Sequence, residues 1–483
     1  MFNSNKIIVI AGLLSLFTLV ACKKGILDTV PQTSISDLTA FSTPEKILGQ
    51  VNNLYKSIQS ANFYGGRLLL INEQRGEEFT QNDPNPTTGA AVWGQNVLSS
   101  NEFVNVLWTA AYKGINNVNI FISNIENTSV IGSPLKEQYL AEAKFVRALS
   151  YLALIQIYAQ PFIKDNGASP GLPLRLKAEL SADNNNLARS SVAKVYEQII
   201  SDLDDAERDL PADQGSAALN SSRAHKATAI ALKTRTYLIK GQFNKVVEES
   251  RKLVPAQAPF QYSSGSITHK LESNVTAAFG SSYTGPESIF SLPYNNIDAP
   301  SSYSLANYYY GAIINALHPD GIAANPVFSR VSVDARKSLV HEKNNQQVLA
   351  KYTKIVAPFT DYVKVIRYAE VLLNYAEAAA ETNDLETAAK LLEAVRYRSD
   401  AGYKFTTEEV SAKNVLIATI LKERRIELLG EGFRAPDLQR RLQTLPGKSG
   451  AAGTAPAILP SASNYIWPIP SDETSTNTII EAH

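Results

Sequence analysis

Apolar residues recur at spacings of three and four in several separate segments of this 483-residue chain, and most of those segments come in pairs joined by short turns. The first, Pro44 to Ile58, sets Ile47, Val51, Leu54, Tyr55 and Ile58 on one face. From Phe103 the pattern returns through Val106, Leu107, Ala110, Ala111, Ile115, Val118 and Ile122, and its partner runs from about Leu135 to Tyr158. A second pair covers Ser191 to Leu210, ended by Pro211, and Arg223 to Lys240, with Gly241 where a C′ glycine belongs. Phe243 to Leu253 starts a further helix. A third pair covers Val363 to Thr382 and Leu385 to Arg398 across the turn Asn383-Asp384, and a last helix spans about Asn414 to Gly430. Apolar stripes of this kind must be buried against one another, so the expected fold is mainly α.

Small residues (Ala141 and Ala148; Ala227 and Ala231; Ala376 and Ala379) sit among Leu and aromatic positions in these segments, which lets helices approach closely. Ala141 and Phe145 fit the Ala-x-x-x-Phe element of tetratricopeptide helices. The expected fold class is therefore a tetratricopeptide-like helical-hairpin scaffold, mainly 103–254 and 363–432, with minor β. Residues 59–101 and 255–360 lack sustained periodicity and form a loop-rich, partly irregular lobe; long loops of this kind are usually functional or disordered. Within them Glu287 to Tyr294 alternates enough for a short strand, and residues 447–463 are again loop-like.

The N-terminus carries Lys6, then a 15-residue apolar run from Ile7 to Ala21 broken only by Ser15 and Thr18. About 20 residues are needed to span a bilayer, so this run has the layout of a secretory leader. It ends at Leu19-Val20-Ala21-Cys22, and Cys22 is the only cysteine in the chain. That position predicts lipidation of Cys22 after removal of residues 1–21, followed by a tether over 22–43 and a single domain over 44–483. With Cys22 acylated no thiol remains for a disulfide, a zinc–thiolate site or a nucleophile.

Chemistry is scarce. The five histidines show no pair at helical ligand spacing, so no metal is expected. No Gly-x-Ser-x-Gly elbow occurs. Pro446-Gly-Lys-Ser449 resembles the end of a phosphate loop, but Leu442 stands where its first glycine is required. Formal charge is balanced at 46 basic and 46 acidic residues with no basic stripe, which argues against nucleic acid. The densest charge cluster, Glu423-Arg424-Arg425-Ile426-Glu427, reads as a buried ion network or a solvated face, with Glu370, Glu377 and Glu381 as partners for its arginines.

Several separated segments form an ordered set: Cys22 followed by Ile26-Leu27-Asp28 and Pro31; Tyr139 to Ala148 with Tyr151; Val195 to Leu203 through Leu210-Pro211; Arg367 to Ala378 with Val395-Arg396; Glu423 to Arg434 with Asp437, Leu438 and Arg440; and Pro468-Ile-Pro470 with Glu473 and Asn477. In that order they resemble the SusD/RagB family of Bacteroidetes outer-membrane lipoproteins, the first being similar to the family's mature N-terminus and the second to its most characteristic helix. Ala435-Pro436 departs from the Arg-Trp pattern after the Glu-Gly block, and the ending Thr478 to His483 lacks the usual Asn-Pro close.

The resemblance implies a non-catalytic, cofactor-free glycan-binding lipoprotein of the outer membrane, facing outward and acting as a hinged lid on a SusC-like TonB-dependent transporter. Ligand residues vary too widely in that family to be carried over by motif. Composition alone nominates Trp93, Tyr64, Tyr283, Tyr303 and Tyr309 as stacking surfaces, because sugar rings present apolar C–H faces, and Arg75, Asn82 and Asp83 as hydroxyl partners. The alternatives are a peptide-binding member of the same family, a tetratricopeptide-type envelope scaffold without a small ligand and, with little support, a glycoside hydrolase.

Overall fold

The computed structural model describes residues 37–280 and 282–481; the leader, Cys22, the Ile26–Pro31 segment and the tether up to residue 36 lie outside them. The rest of the expected tether is partly structured: Asp37–Ala40 forms a short helix, and Phe41 packs 5.7 Å from Phe121. Helix α1 spans Pro44–Ile58, the bounds expected, because Thr43 caps it by accepting from Lys46 N and Pro44 opens it. Then follow α2 (Arg67–Gln74), α3 (Glu102–Asn127), α4 (Ser133–Tyr158), α5 (Val192–Asp209), α6 (Lys226–Ile239) and α7 (Phe243–Ser250). After the irregular segment come α8 (Tyr368–Glu381), α9 (Leu385–Ser399), α10 (Lys413–Glu427) and α11 (Arg434–Gln439).

Each helix from α3 to α9 packs on the next, and α10 packs on α8 and α9. The contact of α7 with α8 is decisive for the architecture. The scaffold is interrupted in sequence by more than a hundred residues yet continuous in space, so residues 255–360 are an excursion from a single helical stack. Gly241, at φ +67°, makes the turn between α6 and α7, and Asp384 Oδ1 caps α9 through Thr387 N at 3.2 Å. Ala141, Ala148, Ala227, Ala231, Ala376 and Ala379 are all buried, as close helix approach requires.

The characteristic α4 segment is explained by charge as well as packing. Arg147 holds Asp202 of α5 bidentately at 2.7 and 2.8 Å. Glu142 accepts from the Tyr55 hydroxyl at 2.6 Å and from Arg223, joining α1, α4 and the approach to α6.

Among the described residues the strands form five two-stranded antiparallel sheets: β1 (Phe79–Gln81) with β5 (Asn315–Leu317), β2 (Tyr262–Ser264) with β3 (Ile267–His269), β4 (Ser288–Leu292) with β8 (Val363–Arg367), β6 (Val340–Lys343) with β7 (Gln346–Leu349), and β9 (Lys448–Gly450) with β10 (Gly453–Ala455). Two expectations change here. Residues 363–367 are a strand, and the helix begins only at Tyr368, because Val363-Lys-Val-Ile pairs with β4. Residues 59–101 are not one long loop, since they hold α2, β1 and a further short helix, Ala90–Trp93.

The Glu423–Glu427 cluster is a buried ion network. Arg336, Arg367, Arg396, Arg398 and Lys351 alternate with Asp334, Glu287, Glu423, Glu427 and Glu431 where the irregular segment meets α9 and α10. The expected partners are rearranged. Arg424 pairs with Asp437, and Arg425 with Glu78. Glu377 takes Arg440 and Arg441, Glu370 takes Arg235, and Glu381 takes Arg441. Among the described residues no helix is long and apolar enough to cross a membrane.

Candidate functional site

Four of the eight nominated residues are interior. Trp93 is 1% exposed and donates its indole N–H to Phe79 O at 2.8 Å. Tyr309 is fully buried between Phe79 (4.9 Å) and Tyr352 (6.4 Å), and burial pushes its hydroxyl well above the ordinary range. Tyr64 is buried against Phe63 at 4.9 Å. Arg75 is buried, donates to Tyr465 O at 3.2 Å and lies 5.9 Å from the Trp467 ring; burial lowers it to about 10. Trp93 and Tyr309 are packed into the interior, Tyr64 lines an internal cavity with Asn72, Arg235 and Phe433, and Arg75 is committed to a carbonyl. The physical reason is general. A lobe of irregular backbone has no continuous apolar stripe, so its large aromatics must supply the core. Lys448, from the rejected phosphate-loop match, is also internal: it donates to Gln74 O and Gly76 O, lies 5.2 Å from the Trp93 ring, and is lowered by burial to about 7.

The remaining four residues are at or near the surface. Asn82 follows β1 and lines a cleft of about 450 Å³ with Thr80, Leu317, Gln346, Gln347 and Ser449. Asn82 donates to Ile313 O at 3.0 Å and exchanges hydrogen bonds with the Gln346 amide at 2.8 and 3.2 Å. Gln346 is placed by the β6–β7 hairpin, whose turn Asn344-Asn345 has φ of +51° and +59°; such left-handed pairs are what a two-residue hairpin turn needs. Behind the lining, His318 Nε2–H donates to Ser449 O at 2.8 Å, while its Nδ1 accepts from Asp320 N at 3.2 Å. Paired amides, a serine and a threonine offer donors and acceptors side by side, which is what a polyhydroxylated ligand presents in return.

Asp83 is exposed beside this cleft. Its loop is fixed from behind, since Gln74 and Gln81 both donate to Thr88 O (3.0 and 2.9 Å) and Thr88 donates to Asp83 O. The structure thus brings Asn82 and Asp83 together and leaves Tyr303 and Tyr283 outside the cleft lining. Tyr303 is 39% exposed and covers the Arg67 guanidinium at 4.4 Å; Phe103 covers the other face at the same distance. Tyr283 is half-buried, 6.1 Å from Tyr362. Gln346, Gln347 and Ser449 were not foreseen. The Asn344-Asn345 turn signal between two short runs was available in the sequence and would have placed Gln346 at a hairpin edge.

A second concave surface of about 590 Å³ lies between α1 and α3, lined by Asn53, Lys56, Ser60, Asn62, Asn105 and Lys113 among others, with no aromatic wall. Among the described residues no group of three or more His, Cys, Asp or Glu side chains is placed to hold a metal ion.

A continuous helical-hairpin stack carrying an irregular lobe with a polar cleft is the class of molecule defined so far. The family described as "SusD family" matches residues 351–481, and one described as "Starch-binding associating with outer membrane" matches residues 27–238. A SusD superfamily protein from Bacteroides fragilis superposes with a TM-score of 0.82 at 31% identity, covering 92% of this chain and all of its own. SusD-like protein P2 from Formosa agariphila is 26% identical over 513 aligned residues, 96% of each chain. A laminarin-binding SusD-like protein shares the fold at a TM-score of 0.71 and 19% identity, covering 91% of this chain and 99% of that one. The chain belongs to the SusD/RagB family.

Proposed function

We propose that this protein captures oligosaccharides at the cell surface and hands them to a SusC-like TonB-dependent transporter of the outer membrane, over which it acts as a lid. Family membership across nearly the whole chain is the observation that carries this reading. The amide-lined cleft at Asn82 and Gln346 is consistent with it, as is the laminarin binding attributed to a protein of the same fold. In this reading residues 1–21 are the leader, lipidated Cys22 anchors the chain to the outer membrane facing outward, residues 22–43 are the link and 44–483 one working unit. The protein performs no chemistry. Weak, adaptable hydrogen bonds hold the ligand, and contacts shared with the barrel favour closure before import. The helical stack suits a lid because its buried faces resist bending.

Calorimetric titration with a panel of neutral oligosaccharides, including β-1,3-glucan fragments, tests the binding step, and Asn82→Ala is expected to weaken any positive by several-fold. Binding to peptides alone would move the protein to the peptide-capturing branch. No ligand at all would favour the envelope-scaffold reading, and release of reducing ends would show a hydrolase. Affinity purification from the native outer membrane tests the lid role; failure to recover a barrel partner would refute it.

A further inference from the structure

Two buried imidazoles outside the cleft join the β2–β3 hairpin to the start of α6. His225 is the N-cap residue of α6 and His269 ends β3; their Nε2 atoms are 3.0 Å apart, and the rings are 0% and 4% exposed. The ring centroids are 5.2 Å apart, close to the N–N distance plus two ring radii, so the rings meet nearly head-on. Head-on nitrogens suit an N–H···N hydrogen bond, whereas two lone pairs serving one metal ion converge at an angle.

The proton order follows from the two ends of the chain. Pro286 O, which also accepts from Lys270 N at 3.2 Å, can only accept, and it lies 3.4 Å from His269 Nδ1. His269 therefore carries its proton on Nδ1 and leaves Nε2 bare. His225 must then donate from Nε2, which leaves its Nδ1 to accept from the Thr228 hydroxyl. The Thr228 oxygen in turn accepts from His225 N at 3.3 Å. Every group in the chain is satisfied, and only one neutral arrangement does this.

We propose that the chain Thr228–His225–His269–Pro286 is an acid-released tie between the helical scaffold and the segment that leads into β4. One added proton sets two N–H groups against each other at the centre, or places a cation at the N-terminus of α6, where the helix dipole opposes it. Asp213 is the one carboxylate acting in favour of a charged His225, and it is already committed to Asn220, Gly215 and Ser266. Arg223 is paired with Glu142, which also takes the Tyr55 hydroxyl, and Lys226 flanks the same turn. Around His269 stand the Tyr262 ring, stacked at 6.1 Å, with Lys270, Glu272 and Glu287; Glu287 is held by Arg367 and Arg398.

Burial, with His269 adding to it and Asp213 opposing, holds His225 down to about 3, and burial holds His269 to about 4. Both values lie below the ordinary 6.5. The tie is therefore at full strength above about pH 6.5 and is lost as pH falls, because the opened imidazoles bind protons that the closed ones refuse. At pH 5.5 each opened ring gains about elevenfold, so opening becomes about a hundredfold easier than at pH 7.5.

Hydrogen exchange on the intact protein at pH 7.5 and 5.5, corrected for intrinsic rates, reads this directly. The β2–β3 hairpin and the first turn of α6 are expected to lose about a hundredfold in protection while α8 does not, and His225→Gln is expected to cut that loss to about tenfold, the share of His269. Equal protection at both pH values overturns the proposal. Nitrogen-15 histidine spectra of the unmutated protein give an independent reading: His225 protonated at Nε2, His269 at Nδ1, and neither titrating near 6.5. The opposite tautomers, or a shift of both Nε2 resonances on adding zinc, overturn it.

Discussion

Removing the Arg367 side-chain charge is expected to destabilise the protein through what it leaves behind. Arg367 is buried at the end of β8. It donates to Glu287 Oε1 at 2.6 Å, to Glu427 Oε1 at 2.7 Å, to Glu431 at 2.7 and 2.9 Å, and to the Glu427 carbonyl at 2.6 Å. Burial opposes its charge, but Glu431, Glu427 and Glu287 hold it well above the ordinary arginine value. The network it belongs to balances: five carboxylates (Glu287, Asp334, Glu423, Glu427 and Glu431) face five cations (Arg336, Lys351, Arg367, Arg396 and Arg398). Arg367→Met leaves one buried negative charge uncompensated, which costs about 3–5 kcal/mol. Unfolding entropy for a chain of this size is about 0.9 kcal/mol/K, so the melting temperature should fall by about 3–5 °C in scanning calorimetry. Glu427→Gln alone leaves an excess cation and should behave similarly. The double variant restores balance, and every remaining ion keeps a partner: Arg398 keeps Glu287, Arg336 keeps Asp334 and Glu423, and Lys351 keeps Glu431. Its cost should therefore fall short of the sum of the singles by about 2 kcal/mol. Strict additivity, or an Arg367→Met melting point within 1 °C of wild type, would refute the charge-balance reasoning.

The other expectations concern packing, surface recognition and pH. Trp93→Ala should cost about 3–5 kcal/mol because a fully packed indole and its hydrogen bond to Phe79 O are lost, whereas the half-exposed Tyr303→Ala should change stability by less than about 1 kcal/mol. If Tyr303 does stack on a glycan, its removal should weaken binding about five- to tenfold by calorimetric titration with the fold intact. Gly430 has φ +76°, and a Cβ there runs into Leu349 Cδ2, so Gly430→Ala should cost about 2–4 kcal/mol in chemical denaturation. Burial, then the neighbouring Glu78, raise Glu73 from 4.5 to about 8 even though Gly432 N and Phe433 N donate to it. An acid whose folded value is raised stabilises most below its unfolded value, and the contribution is lost between about pH 4.5 and 8 at roughly 1.4 kcal/mol per pH unit. Glu73→Gln should therefore flatten the decline in stability from pH 5 to 8; an unchanged slope would show that Glu73 is ionised throughout.

Helix existence and type were legible because the buried face, the cap and the breaker are all local. Pro44 to Ile58 could be bounded to the residue from Thr43, Pro44 and the spacing of its apolar side chains. The strand at 363–367 was not legible. Val363-Lys-Val-Ile-Arg runs into Tyr368 with no breaker, and what makes it a strand is β4, some 70 residues earlier in the chain. The same limit governs the site. Tyr303 and Tyr309 lie six residues apart in equally polar sequence, yet one is 39% exposed and the other fully buried. In a helix the period says which side chain faces inward, but an irregular loop has no period, and composition cannot choose between its sides. Asn82 was recoverable because Asn82-Asp83-Pro84 is a turn signal that places it at a surface; its partner Gln346 comes from a hairpin 264 residues away.

That contrast bears on what the buried charges contribute. A network of ten buried charges is an expensive way to hold a core, since well-packed apolar side chains of similar volume are often as stable or more so. Its position suggests another value. It lies where the irregular excursion meets α9 and α10, and its members come from separate segments around residues 287, 334–336, 351, 367, 396–398 and 423–431. An apolar contact tolerates sliding, whereas a bidentate guanidinium accepts a carboxylate in few positions. Irregular loops carry no ladder to fix their register, so directional pairs can supply that register. The hairpin that presents Gln346 to Asn82 ends at Leu349, two residues before Lys351 enters the network through Glu431. On this argument the balanced Arg367→Met/Glu427→Gln pair should lose less stability than its single changes summed, stay folded, and bind ligand less well than wild type. Unchanged affinity in that folded variant would mean that the network serves stability alone.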